Sequence, residues 1–155
     1  QVIQSITLSK AFGVYGGAIL CSDELRAKIL TRSRMFGGST PLPLPLANAA
    51  LASVGILRSE KGLRRRLVEN VNYVQACLEK AGVEIAATPS PIIVVIPKSD
   101  HEAATLKSSC LANGVFPSFI KYHGGPKNGY FRFAISSEHT KQQLNALLKA
   151  LGRWD

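Results

Sequence analysis

The chain has 155 residues, 46% hydrophobic and 19% charged, a balance that excludes a disordered chain, a low-complexity fibre and a small stapled mini-protein. Nineteen Lys and Arg against ten Asp and Glu give a net charge of +9, which favours anionic ligands such as phosphates, carboxylates, nucleotides or nucleic acid. No apolar run reaches the ~18 residues of a membrane helix, so no membrane association is expected. The length is that of one compact domain. The cysteines, Cys21, Cys77 and Cys110, are odd in number and lack C-x-x-C spacing. Neither a disulfide framework nor a zinc site is suggested, and the three read as small core residues in a reducing, cytoplasmic setting.

The first predicted element is a short β-rich segment, Val2 to Thr7, followed by Leu8-Ser9-Lys10 and a turn punctuated by Gly13, Gly16 and Gly17. Ala18 to Cys21 reads as a second strand. Ser22 is a predicted N-cap, with Asp23 and Glu24 at the positive end of a helix running to about Ser33. Pro41, Pro43 and Pro45 delay the next helix until about Leu46. From there Ala50, Val54 and Leu57 share a face, and Leu63, Leu67, Val71, Val74 and Leu78 form a strong amphipathic stripe. Gly62 is a predicted break between two helices, and Ala81-Gly82 a stop.

The last third alternates. Ile92 to Ile96 is a predicted buried strand between Pro91 and Pro97, and Asp100 is read as the cap of a helix ending at Asn113-Gly114. Val115 to Ile120 is a predicted edge strand because Pro117 interrupts it. The run 124–129 is a turn, and Tyr130 to Ile135 alternates as a strand. Thr140 and Gln143 have capping-box spacing before a helix lined by Leu144, Leu147, Leu148 and Leu151. The order β-α-β-β-α after residue 90 predicts a small sheet covered by helices.

Lys10 is the first chemical candidate. It follows an apolar strand and precedes Ala11-Phe12-Gly13, so its stem is expected to lie against apolar surface. An amine that loses hydration in this way becomes a better nucleophile for a carbonyl. Thr7 and Ser9 add hydroxyls that suit a phosphate-bearing carbonyl compound. From spacing alone, a solvated lysine at a turn is the plainer reading. Arg132 on the alternating strand is read the same way, as a solvated edge arginine. Arg58, Lys61, Arg64, Arg65 and Arg66 form a basic cluster, read as a solvated helix face, with nucleic-acid contact as the functional alternative. No aromatic interleaving supports base stacking, so nucleic acid is not the expected partner. His101, His123 and His139 lack metal-ligand spacing, no metal is expected, and His139 at a helix start reads as structural.

Thr7-Leu8-Ser9-Lys10-Ala11-Phe12-Gly13, followed by Gly16-Gly17, resembles the cofactor-lysine segment of the alpha-oxoamine synthases. These are pyridoxal-phosphate (PLP) enzymes of the aspartate aminotransferase fold. Later landmarks follow in order: Ser39-Thr40-Pro41, a long helix pair, and Arg132-Phe133-Ala134-Ile135-Ser136-Ser137-Glu138-His139-Thr140, which resembles the family's Arg-x-x-x-(Ser/Thr)-x-x-His-(Thr/Glu) stretch. The resemblance implies an α/β fold, the C-terminal part of a fold-type I PLP-dependent transferase. Residues 1–45 would end the large PLP-binding domain, 46–80 would be linking helices, and 81–155 a small α/β domain with helices packed on a short sheet.

The implied roles follow residue by residue. Lys10 is the covalent anchor of the cofactor and the base that moves the alpha proton. Thr7 binds the cofactor phosphate, Ser39 or Thr40 reaches the phosphate of a neighbouring subunit's cofactor, and Arg132 grips the substrate carboxylate through two parallel hydrogen bonds. The implied reaction condenses an amino acid with an acyl-CoA in a homodimer. A PLP-dependent aminotransferase of the same fold is one alternative, and a non-catalytic basic binding module using the 58–66 cluster is another. Two stretches depart from the family pattern: Gly37-Gly38-Ser39-Thr40-Pro41-Leu42-Pro43 is richer in glycine, and Lys121-Tyr122-His123-Gly124-Gly125-Pro126 replaces an Arg-Pro-Pro-Thr-Val-Pro-like run. The second helps shape the substrate pocket, so a different amino or acyl partner is implied. Family members take an acid for the ring nitrogen and a ring-stacking side chain from before the lysine. None of the residues before Lys10 is Asp, Glu or His. The expectation is therefore the C-terminal portion of a longer enzyme, inactive without an N-terminal part, which a separate chain could also supply.

Overall fold

The computed structural model describes residues 2–35, 37–85 and 88–152. The chain divides into two compact units, Gln1–Lys61 and Gly62–Asp155.

In the first unit, β1 (Gln4–Thr7) pairs antiparallel with β2 (Gly17–Leu20), with Thr7 opposite Gly17 and Gln4 opposite Leu20. The Gly-rich stretch is thus a hairpin loop. Helix α1 (Asp23–Arg32) starts where expected, the Ser22 hydroxyl accepting from Leu25 N at 3.3 Å. Helix α2 (Leu44–Ser59) starts two residues earlier than the proline spacing predicts. Pro45 falls in its first turn, where a missing N–H breaks no intrahelical bond. The break before the next helix falls at Glu60 rather than at Gly62, because Glu60 leaves helical geometry with ψ 67°. The predicted apolar face of α2 is not covered: no α2 residue is buried, and Val54 and Leu57 are exposed. Among the unit's described residues, only Leu8 and Val14 are buried hydrophobics.

The second unit has a full core. Helix α3 (Lys61–Lys80) opens at the boundary and buries Val71, Val74 and Leu78, three positions of the predicted stripe. Gly82, at φ 73°, takes the left-handed turn that ends it. Strand β3 (Ile92–Val95), α4 (Asp100–Ala112), β4 (Phe119–Ile120), β5 (Tyr130–Ala134) and α5 (Lys141–Leu151) follow in the predicted order. The cap of α4 is Ser99, not Asp100; the Ser99 hydroxyl accepts from Glu102 N, and Asp100 occupies the first helical position. The three strands are antiparallel in the order β3-β5-β4. Strand β4 is the expected edge and is only two residues long, since Pro117 before it has no N–H to give the ladder.

Strand β5 occupies the centre. Phe131 and Phe133 point to the core with Ile93 and Val95, while Arg132 and Ala134 are exposed. The Phe131 ring lies 4.8 Å from that of Phe119. Gly129 makes the approach to β5 possible: its φ is 71°, and a Cβ there would stand 2.5 Å from Phe119 Cζ. Thr140 and Gln143 form the predicted capping box at α5, with Gln143 N donating to Thr140 Oγ1 at 3.2 Å and Thr140 N donating to Gln143 Oε1 at 2.9 Å.

The contrast between the units is testable. Leu106→Ala removes a fully buried side chain from the second unit and should cost about 2–5 kcal/mol. Leu51→Ala on the exposed face of α2 should stay within about 0.5 kcal/mol. Urea denaturation of the chain, followed by circular dichroism, measures both.

Candidate active site

The hairpin loop of the first unit presents Lys10. Leu8 N donates to Gly16 O at 2.9 Å, Val14 N to Leu8 O at 3.0 Å, and Gly13 N to Lys10 O at 3.0 Å. The buried side chains of Leu8 and Val14 pin the loop beneath. Gly16, at φ 126°, adopts a backbone that a side chain would strain. These ties leave Thr7, Ser9 and Lys10 exposed together at the end of β1. The Thr7 and Ser9 hydroxyls lie 2.9 Å apart, and Ser9 N donates to Thr7 Oγ1 at 3.3 Å. The described residues do not supply the apolar cover expected for the Lys10 stem: Lys10 is exposed, and its amine has no hydrogen-bond or ion-pair partner among them. Sequence reasoning missed Ser53, whose hydroxyl on α2 donates to Phe12 O at 2.8 Å and tethers the same loop. A helix-interior serine carries no signal for such a contact.

Ser39 and Thr40 are exposed between α1 and α2. The Ser39 hydroxyl donates to Met35 O, whereas the Thr40 hydroxyl makes no such bond among the described residues.

Arg132 belongs to the second unit. It pairs with Val94 across β5 and β3, and its backbone N donates to Ser118 O at 2.9 Å. Its guanidinium has no ion-pair partner among the described residues. The residue is one of several from β5 that line a cavity of about 750 Å³ between the 113–118 segment and the start of α5. The turn after β5 is held from α3 by two residues one helical turn apart. Asn70, buried in the apolar stripe, donates through Nδ2 to Ser136 O at 2.9 Å and His139 O at 3.3 Å. Arg66 Nη2 meets Glu138 Oε1 at 2.9 Å. His139 accepts from Ser136 N on Nδ1 at 3.1 Å. A lone Asn among Leu and Val at core spacing is the sequence signal for this clamp. The structure thus gathers Thr7, Ser9 and Lys10, sets Ser39 and Thr40 apart on the first unit, and carries Arg132 on the second.

The basic cluster has local partners. Arg65 lies 3.8 Å from Glu69, and Arg66 is paired with Glu138. Of the cysteines only Cys110 is in the core; Cys21 and Cys77 are half-buried. No helix among the described residues is long and apolar enough to cross a membrane.

The fold is α/β, with a lysine-bearing hairpin in one unit and an arginine-bearing antiparallel sheet in the other. The aminotransferase class I and II family matches residues 1–151. The 8-amino-7-oxononanoate synthase of Thermoanaerobacter pseudethanolicus is 35% identical over 149 residues, covering 96% of this chain and 38% of that protein. The solved 8-amino-7-oxononanoate synthase of Francisella tularensis superposes with a TM-score of 0.83 at 24% identity, covering 97% of this chain and 44% of the other. A serine palmitoyltransferase solved with PLP superposes at 0.85 with 22% identity, covering 97% and 38%. The chain belongs to the aminotransferase class I and II family, and the expected fold class is borne out. It spans under two fifths of the length of the Thermoanaerobacter relative.

The cysteines give a prediction. Burial pushes the Cys110 thiol up to about 11. At pH 8 it should hold about one part in a thousand of thiolate and resist a disulfide reagent, while Cys21 and Cys77 react. Because the folded thiol keeps its proton to higher pH than the unfolded one, Cys110 also costs stability progressively above its ordinary value of 9.0. Thiol titration with and without urea checks the first statement, and urea midpoints at pH 8 and 10 the second.

Proposed function

We propose that this chain is the C-terminal portion of a PLP-dependent transferase of the alpha-oxoamine synthase kind, which condenses an amino acid with an acyl-CoA. The observation that carries the reading is the hairpin turn that exposes Lys10 beside the hydroxyls of Thr7 and Ser9. An amine without a competing partner next to paired hydroxyls is the donor set that a phosphate-bearing aldehyde requires, so the residues present fit the cofactor. The match to 8-amino-7-oxononanoate synthases across nearly the whole chain supports the choice of reaction.

On this reading Lys10 would hold PLP covalently, and Thr7 would donate to its phosphate. Thr40 is preferred over Ser39 for a neighbouring subunit's phosphate, since the Ser39 hydroxyl is engaged by Met35 O. Arg132 binds the substrate carboxylate, with two parallel N–H donors that also fix its orientation. PLP, when bound, supplies an electron sink that makes the alpha carbon of a bound amino acid acidic. Once the amine of the incoming amino acid had displaced it from the cofactor, the freed Lys10 amine would be the group that takes and returns the alpha proton. The acid for the ring nitrogen and the ring-stacking group come from outside these residues, so the chain alone is inactive. The reading includes a cytoplasmic homodimer, with residues 1–45 ending the large domain, 46–80 linking, and 81–155 forming the small domain.

Incubating the chain with PLP, reducing with borohydride and mapping peptides tests the anchor. Lys10 should carry at least about tenfold more label than the average lysine, because an amine placed beside phosphate donors captures the aldehyde preferentially. Lys10→Ala should abolish the excess. Label spread evenly over the surface lysines sinks the assignment.

A further inference from the structure

Two Asn-Gly pairs occur in the sequence, Asn113-Gly114 and Asn128-Gly129. Glycine after asparagine leaves the side-chain amide open to attack by the next backbone nitrogen, because no Cβ stands in the way. Neither glycine takes a side chain without strain, since both hold φ 71°. The fold therefore keeps two chemically labile pairs, and it treats them differently.

Asn128 is locked from outside its own loop. Its Nδ2 donates to Lys98 O at 2.7 Å and to Pro97 O at 3.3 Å. Gly129 is buried, its N donates to Pro126 O at 2.9 Å, and the Phe119 ring fills the space beside it. The pair leads directly into β5, the central strand. Asn113 is instead held by its own helix end. Its Nδ2 donates to Ser109 O at 2.9 Å, and its backbone N is shared among carbonyls of the last turn of α4. Gly114 is exposed, with nothing within 4 Å of where a Cβ would stand, and its N donates to Leu111 O at 3.1 Å. Helix ends fray and open locally at lower free energy than a central strand.

We propose that Asn113 is a site of spontaneous deamidation in the folded chain, whereas the fold protects Asn128. Water is the sole co-reactant. The Gly114 nitrogen gives up its proton to hydroxide and bonds to Asn113 Cγ. The Cγ–Nδ2 bond breaks, and Nδ2 leaves as ammonia. Water then opens the cyclic imide at either carbonyl, giving aspartate or isoaspartate, so that one water enters and one ammonia leaves. At φ −100° and ψ 13° Asn113 is not aligned for the attack. The last turn of α4 must open first, and the ease of opening sets the rate. The new carboxylate stands at the negative end of the α4 dipole and has no proton to offer Ser109 O. It loosens the helix end that carries it.

Ageing the chain in warm, mildly alkaline buffer, followed by peptide mapping with mass detection, tests the site. Asn113 should convert at least about tenfold faster than Asn128, and the Gly114 amide should exchange its hydrogen at least about tenfold faster than that of Gly129. In guanidinium chloride the two asparagines should convert within about threefold of each other, because their local chemistry is the same once the fold is gone. Asn113→Gln, whose longer side chain has to close a larger ring, should gain no acid over the same time. Asn113→Asp should show a lower urea midpoint than the parent chain. The proposal is overturned by an Asn113 that stays intact, by Asn128 converting as fast or faster in the folded chain, or by a preference that survives in denaturant. An unaltered midpoint in Asn113→Asp overturns the loosening of α4. None of these outcomes bears on PLP labelling at Lys10, so the two readings fail separately.

Discussion

The central position of β5 is the constraint on which the second unit depends. Its pleat sends Phe131 and Phe133 into the core and Arg132 and Ala134 away from it. Each buried ring contributes on the order of 2–3 kcal/mol of burial. A shift of one residue would therefore bury a guanidinium and expose two phenyl rings. The same alternation that stabilises the sheet holds Arg132 at a fixed place on the cavity wall. The turn after the strand is fixed as firmly, by a buried amide and an ion pair from α3. Core packing and the exposed placement of Arg132 are thus two faces of one strand.

The first unit rests on a different balance. Two buried hydrophobics and a set of backbone hydrogen bonds shape the Lys10 loop. The shape is local, made by glycine conformations and hairpin pairing, and it does not need a large core. The apolar side chains of α1 and α2 remain largely exposed. That pattern is consistent with a chain spanning 38% of a relative's length, since helices patterned for burial find no cover here. It also explains why the Lys10 stem lacks the apolar surface that the sequence led us to expect.

Much of the fold was legible because its signals are local. Ser22, the Thr140–Gln143 box, Gly82 and Pro117 act within a few residues of themselves, and each sits where its chemistry predicts. Helix starts beside prolines were read less well. Pro45 is tolerated in a first turn, so proline spacing set the start of α2 too late. The predicted face of α2 failed for another reason: periodicity states which side could be buried, not whether anything covers it. The candidate residues at the site were legible through the motif around Lys10 and the one around Arg132, whereas Ser53 acts across 41 residues and leaves no local trace, and Asn70, acting across 66, shows only as a lone amide in the apolar stripe of α3.

The amino-acid order by itself determined the strands and helices of the second unit, their sequence, and the residue types able to bind phosphate, aldehyde and carboxylate. It did so because dihedral preferences, capping and apolar period are properties of short segments. Tertiary structure alone decided that β5 lies between β3 and β4, that Asn70 holds the turn beneath His139, and that a cavity opens beside Arg132. Those outcomes depend on which distant side chains meet, and no short window of sequence contains that information.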